Sequence, residues 1–146
     1  MEGYSVKIRE SSKELTAMEG YSVKIRESSK ELTAKERIAL KDYSNAIALD
    51  TALNDVDVLT ISPVGYVILD VHNEKSKQDK DYVKYVLIDA GGNKYVTGSE
   101  SFFTSFIDIF RTMAEEAPGE EYSIDVLKKP SQNYKGKNFL TCALAL

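Results

Sequence analysis

One stretch of this chain, Ser99 to Glu116, spaces its apolar residues as a helix does, whereas most other patterned segments alternate as strands do. Phe102, Phe106, Ile109 and Met113 recur every three or four residues beside Phe103, Ile107 and Phe110. Together they make a wide apolar stripe, and a serine is available to cap its first turn. Rings at helical spacing are far more often core than ligand site, so the stripe is assigned to the core. Pro118-Gly119 ends the helix. One long helix among strands confines the chain to a mainly β member of the α+β class.

The strands follow from alternation and turn chemistry. Val64 to Val71, after Pro63, is dense in β-branched and aromatic residues and reads as a strand buried on much of both faces. A charged loop over Asn73 to Asp81 follows. Tyr82 to Ile88 and Lys94 to Thr97 then flank Asp89-Ala-Gly-Gly-Asn93, whose glycines suit a tight reversal. Beyond the helix, Tyr122 to Lys128 and Asn138 to Leu144 form a final pair joined by Lys129 to Lys137. Nearer the start, Tyr21 to Arg26 alternates as a short strand, and Ser28-Ser-Lys-Glu31 is a capping box that predicts a helical turn over Lys30 to Arg37. Ile38 and Leu40 mirror Ile47 and Leu49 across Asp42 to Asn45, as a hairpin would.

Residues 1–17, MEGYSVKIRESSKELTA, are repeated letter for letter as residues 18–34. Structural repeats drift, because stacking needs only the apolar pattern, and they usually come in threes or more. The identity therefore reads as an added copy ahead of a 129-residue single domain starting at Met18. Tyr4 to Arg9 can form the same strand as Tyr21 to Arg26. The two would compete for one sheet edge, or one would pair with a neighbouring molecule and give a homo-oligomer through the N-terminal strand.

The composition, 42% hydrophobic and 29% charged, is that of a globular domain. A net charge of -4 argues against coating duplex DNA by bulk charge but leaves room for a local basic face. The lone cysteine, Cys142, sits in an apolar run and cannot form an internal disulfide, so a cytoplasmic protein is expected. No run approaches the roughly 18 apolar residues of a membrane span, and no membrane partner is expected.

The predicted order, strands, a hairpin, one helix and two more strands, matches a five-stranded antiparallel barrel of the oligonucleotide-binding (OB) type, with its helix between strands 3 and 4. Strand 1 would be Ile38 to Leu49, strand 2 Val64 to Val71 and strand 3 Tyr82 to Thr97. Such barrels bind ligands across strands 2 and 3 and under the loops joining strands 1 to 2 and 4 to 5. The last loop carries Lys128, Lys129, Lys135 and Lys137 around Tyr134. Cations neutralise phosphates and flat rings stack unpaired bases, which single-stranded nucleic acid requires, although a solvated hairpin tip also accounts for the lysines. Tyr66, Tyr82, Tyr85 and Tyr95, with Lys84 and Lys94 beside them, lie on the strands of the ligand face. Alternation puts Tyr82 and Lys84 on one face and Tyr85 on the other, so some of these rings must be core.

The acidic run Glu115 to Glu121 reads as a solvated helix end, and the only histidine, His72, is distant from it. The chain has no G-x-S-x-G, Walker loop, HExxH or paired CxxC. No catalytic residue, metal site or cofactor is expected, and the protein is not read as an enzyme.

Tyr82-Val-Lys-Tyr-Val-Leu-Ile-Asp89, the Gly91-to-Ser99 hairpin exit, the Phe-rich helix and Lys129-Pro-Ser-Gln-Asn-Tyr-Lys-Gly-Lys-Asn-Phe-Leu-Thr-Cys142 together resemble small single-stranded DNA-binding proteins of bacteriophages infecting Gram-positive bacteria. The resemblance spans about Glu36 to Leu144 by pattern. It implies an OB barrel that coats single strands during phage replication without sequence preference, inside the bacterial host. The chain ends in Ala143-Leu-Ala-Leu146, without the acidic tail by which bacterial proteins of this kind recruit partners. The competing expectation is a phage protein-interaction or inhibitor module that binds no nucleic acid.

Overall fold

The computed structural model describes residues 20–133 and 135–146. In chain order they form β1 (Tyr21–Ser28), α1 (Ala34–Lys41), β2 (Ile47–Ala48), α2 (Leu49–Ala52), β3 (Val58–Ile61), β4 (Pro63–Asn73), β5 (Asp81–Asp89), β6 (Lys94–Thr97), α3 (Glu100–Glu116), β7 (Ile124–Pro130) and β8 (Asn138–Leu144). The strands make two sheets, ordered β1-β4-β5-β6-β2 and β3-β7-β8. The class is α+β, as the periodicities predict.

Only Ser62 separates β3 from β4, so a single bent run of chain contributes to both sheets. Its first half pairs antiparallel with β7 (Val58↔Leu127, Ile61↔Ile124), and its second half with β5 (Ile68↔Tyr85, Val71↔Tyr82). Pro63 sits at the first position of β4, where a missing N–H is tolerated. Among the described residues no ladder joins β6 to β8, so the sheets do not close into the expected barrel. The free edge of β6 is taken instead by β2, which runs parallel to it (Ile47↔Tyr95, Ala48↔Val96).

Both faces of β4 are covered, as its composition predicts. Tyr66 and Ile68 point into a core with Tyr85, Leu87, Tyr95, Ile124, Val126, Leu140 and the α3 rings. Val67, Leu69 and Val71 point the other way and pack with Val86, Val96, Leu40 and the partly buried Val23 and Ile25. Helix α3 closes the first core: Phe102 and Phe106 are fully buried, and Phe103 stacks on Tyr85 with centroids 4.4 Å apart. Its start is capped by Ser99 Oγ, which accepts from Phe102 N at 3.1 Å. Ser101 Oγ, donating to Leu140 O at 2.9 Å, and Ser105, 3.1 Å from Thr141 Oγ1, tie the helix to β8.

The predicted reversal at Asp89 to Asn93 is present. Asp89 Oδ1 accepts from Gly91 N and Asn93 N, and Gly92 adopts the left-handed φ of 85° that the turn requires.

Two readings of the first third are corrected. The capping box that forms is Thr33 to Glu36, not Ser28 to Glu31: Thr33 Oγ1 accepts from Glu36 N at 3.2 Å and Glu36 Oε1 accepts from Thr33 N at 3.1 Å. Ser28 instead closes β1, and Ser29 continues the contact with β4 by donating to Tyr66 O and accepting from Tyr66 N, each at 2.9 Å. The hairpin over Ile38 to Leu49, read as strand 1, is also absent. Ile38 lies on α1 and is 74% exposed, and Ile47–Ala48 pairs with β6 rather than with its sequence neighbour.

Candidate nucleic-acid interface

The residues singled out in the sequence divide into three groups by where the strands put them. On β5, alternation sends Tyr85 and Leu87 into the first core, while Tyr82, Lys84 and Val86 face the other way. Lys84 Nζ lies 5.8 Å from the Tyr82 ring centroid, close enough for a cation–π contact, and reaches to within 3.6 Å of where a Cβ would stand on Gly98. The missing side chain of Gly98 thus leaves room for the ammonium group at the end of β6.

Lys128 arrives at the same end from the other sheet. Its Nζ donates to Asp50 O at 3.5 Å, while Asp50 Oδ2 accepts from Thr97 Oγ1 at 3.4 Å. Helix α2 thereby bridges β7 to β6, and two lysines 44 positions apart in sequence flank Thr97-Gly98. Among the described residues, Lys84, Lys128, Lys129 and Lys135 form no ion pair, so their charge is not neutralised by the fold.

Lys129 is the cross-strand partner of Phe139, an aromatic ring 38% exposed at the base of the last loop. Sequence reasoning passed over Phe139 because it sits in an otherwise apolar run; the outward parity of its strand position was the available signal. The loop itself is closed by Ser131 N donating to Lys137 O at 2.8 Å, and Gly136 at φ 82° makes its turn. Lys135 and Lys137 are exposed on it. Tyr134 lies outside the described residues.

One of the predicted contacts is corrected. Tyr95 is 9% exposed, its ring lies in the core and its hydroxyl is 3.4 Å from Asp89 Oδ2, so it has no face to offer a base. Lys94 reaches back to α1, donating to Ala39 O at 3.4 Å, where the last carbonyls of a helix lack partners. Tyr82, in contrast, is half-buried and belongs to a group of phenols: burial and the neighbouring Tyr21 and Tyr82 hydroxyls raise the pKa of Tyr43 well above the usual range.

The hairpin between β4 and β5, the charged loop over Asn73 to Asp81, adds exposed Lys75, Lys77 and Lys80. At its base, His72 Nδ1 lies 2.7 Å from Asp81 Oδ1, and Nε2 lies 3.5 Å from Glu74 Oε1. The hydrogen bond to Asp81 above all, with help from Glu74, raises the imidazole pKa. A raised folded pKa stabilises the fold fully below the unfolded value of about 6.5, and the contribution is lost as pH climbs through the folded pKa. His72→Gln is therefore expected to lower the urea midpoint more at about pH 5.5 than at about pH 8.5. Equal losses at the two pH values would show that the pairing does not act through charge.

A groove of about 640 Å³ lies where the end of α3 meets the β3–β4 bend and the start of β7. Val64, Phe110, Met113 and Tyr122 line it, with Glu120 and Glu121 also in its wall. Carboxylates there repel phosphate. Glu115, Glu116, Glu120 and Glu121 are all exposed, as expected of a solvated helix end. No helix among the described residues is long and apolar enough to cross a membrane.

No protein family model, curated protein or solved structure matches the chain. The functional reading therefore rests on the geometry of these lysines and rings.

Proposed function

We propose that the chain binds single-stranded DNA without sequence preference, as a protein protecting exposed strands during phage-type replication would. The observation that carries this reading is that Lys84, beside the half-buried ring of Tyr82 on one face of the sheet, and Lys128, bonded to Asp50 on the other, flank the Thr97-Gly98 end of β6. Unneutralised ammonium groups next to an accessible ring are what a backbone of phosphates and unstacked bases requires.

The connectivity supports an OB-type arrangement in a shifted numbering. If the bent run β3–β4 is strand 1, then β5 and β6 are strands 2 and 3, α3 follows strand 3, and β7 and β8 are strands 4 and 5. Strand 1 pairs with strands 2 and 4, as one strand shared by both halves of such a barrel would. These barrels are partly open, and a gap between β6 and β8 fits that description. In this frame the two ligand-binding loops are residues 74–80 and 131–137, and both carry exposed lysines. The β1–α1 arm then lies outside the five-stranded unit.

Titration of a labelled thymidine oligonucleotide at low salt tests the reading. Binding is expected, and Tyr82→Ala should weaken it about 5- to 150-fold, the equivalent of roughly 1–3 kcal/mol for one stacked base. No binding by the unaltered chain would leave the competing reading, a protein-interaction or inhibitor module, which the apolar groove at the end of α3 favours.

A further inference from the structure

We propose that the edge of β4 filled by β1 is a docking site with a second occupant in the same chain, residues 4–11, which exchanges with residues 21–28. Strand β1 is at the end of its sheet and is hydrogen-bonded only to β4. None of its eight residues is fully buried. It is held by the ladder and a few specific groups. Gly20 O accepts from Glu74 N at 2.9 Å, Arg26 Nε donates to Asp70 Oδ2 at 3.1 Å, and Glu27 Oε2 accepts from Tyr66 Oη at 2.5 Å. Ser29 bonds Tyr66 twice, and Val23, Ile25 and Leu32 pack on the second cluster.

Every one of those residues has an identical counterpart 17 positions earlier. Gly3, Arg9, Glu10 and Ser12 carry the polar groups, and Val6, Ile8 and Leu15 carry the apolar ones. An exchange of residues 3–12 for residues 20–29 therefore restores the strand's polar groups and its Val and Ile contacts, while Leu32, next to Thr33, stays with α1, and the strand's contact energies cancel. Thr33 stays with α1, so the helix cap is untouched. What remains is connection length, which grows from residues 30–33 to residues 13–33, or from 4 to 21 residues. Loop-closure cost rises only as the 3/2 power of length, about tenfold here, so the earlier copy should occupy the edge in about one molecule in ten. A tethered strand also acts at an effective concentration of about millimolar, which favours exchange within the chain over capture from another molecule at micromolar protein.

Disulfide trapping in the full chain tests this without any ligand. Ser22 pairs with His72 across β1 and β4, and Ser5 is the counterpart of Ser22. A Ser22→Cys/His72→Cys chain and a Ser5→Cys/His72→Cys chain are oxidised in parallel, and the linked peptides are assigned by mass. Cys142 is buried and should not compete. The expected result is a 5–72 disulfide in monomers, forming about ten times more slowly than the 22–72 disulfide. No 5–72 disulfide under conditions where 22–72 forms would overturn the proposal. So would a 5–72 disulfide found only in dimers, which would make a second copy the occupant. If losing His72 prevents folding, Lys24→Cys/Asp70→Cys and Lys7→Cys/Asp70→Cys report the same comparison one pair further on.

Discussion

Phe102→Ala is expected to destabilise the fold by about 3–5 kcal/mol, measured by urea unfolding at neutral pH. The ring has no exposed surface, stacks on Phe106 with centroids 6.1 Å apart, and sits one turn into α3, where that helix covers the core of both sheets. Removing it forfeits the burial of the ring and leaves a cavity between α3 and the strands. Ser101 and Ser105, hydrogen-bonded to β8 on the same stretch of helix, oppose its collapse. Against a typical total of about 5–15 kcal/mol, a loss of that size leaves a marginal or unfolded protein. A cost under about 1 kcal/mol would mean that α3 does not close the core.

Raising salt from about 50 to 200 mM should weaken oligonucleotide binding about a hundredfold. Each phosphate neutralised on a single strand contributes a slope of about 0.7 in log affinity against log salt. Lys84, Lys128, Lys129, Lys135 and Lys137 are five candidates for those contacts. Five contacts and a fourfold change in salt give about that factor. For a chain of net charge -4 such a slope has to come from local contacts of these lysines rather than from bulk charge.

Helix α3 and the Asp89 to Asn93 reversal were readable in advance because each is decided locally, by seven apolar residues at helical spacing and by a Gly-Gly turn. The double burial of β4 was readable from its continuous apolar run. What failed was decided by distant partners. Two capping boxes separated only by Leu32, Ser28 to Glu31 and Thr33 to Glu36, look alike in sequence. Thr33 to Glu36 forms because pairing to β4 holds Ser28 and Ser29 in extended chain. Ile47–Ala48 is a two-residue strand whose partner lies 48 residues away, which no local pattern announces. At the candidate site, alternation correctly separated Tyr82 from Tyr85, but it cannot say which face a helix will cover. Tyr95, a stacking ring by its place on the strand, is therefore core. The approach of Lys128 to β6 depends on α2, four residues that bridge the sheets.

The most direct test of nucleic-acid binding at the Thr97-Gly98 end of β6 is the salt slope of oligonucleotide affinity for the unaltered chain and for Lys84→Ala/Lys128→Ala. The double variant should bind more weakly at low salt, with a slope shallower by about 1.4, two phosphate contacts' worth. An unchanged slope, with the variant folded, would place the binding surface elsewhere, and a flat slope for the unaltered chain would contradict nucleic-acid binding by these lysines altogether.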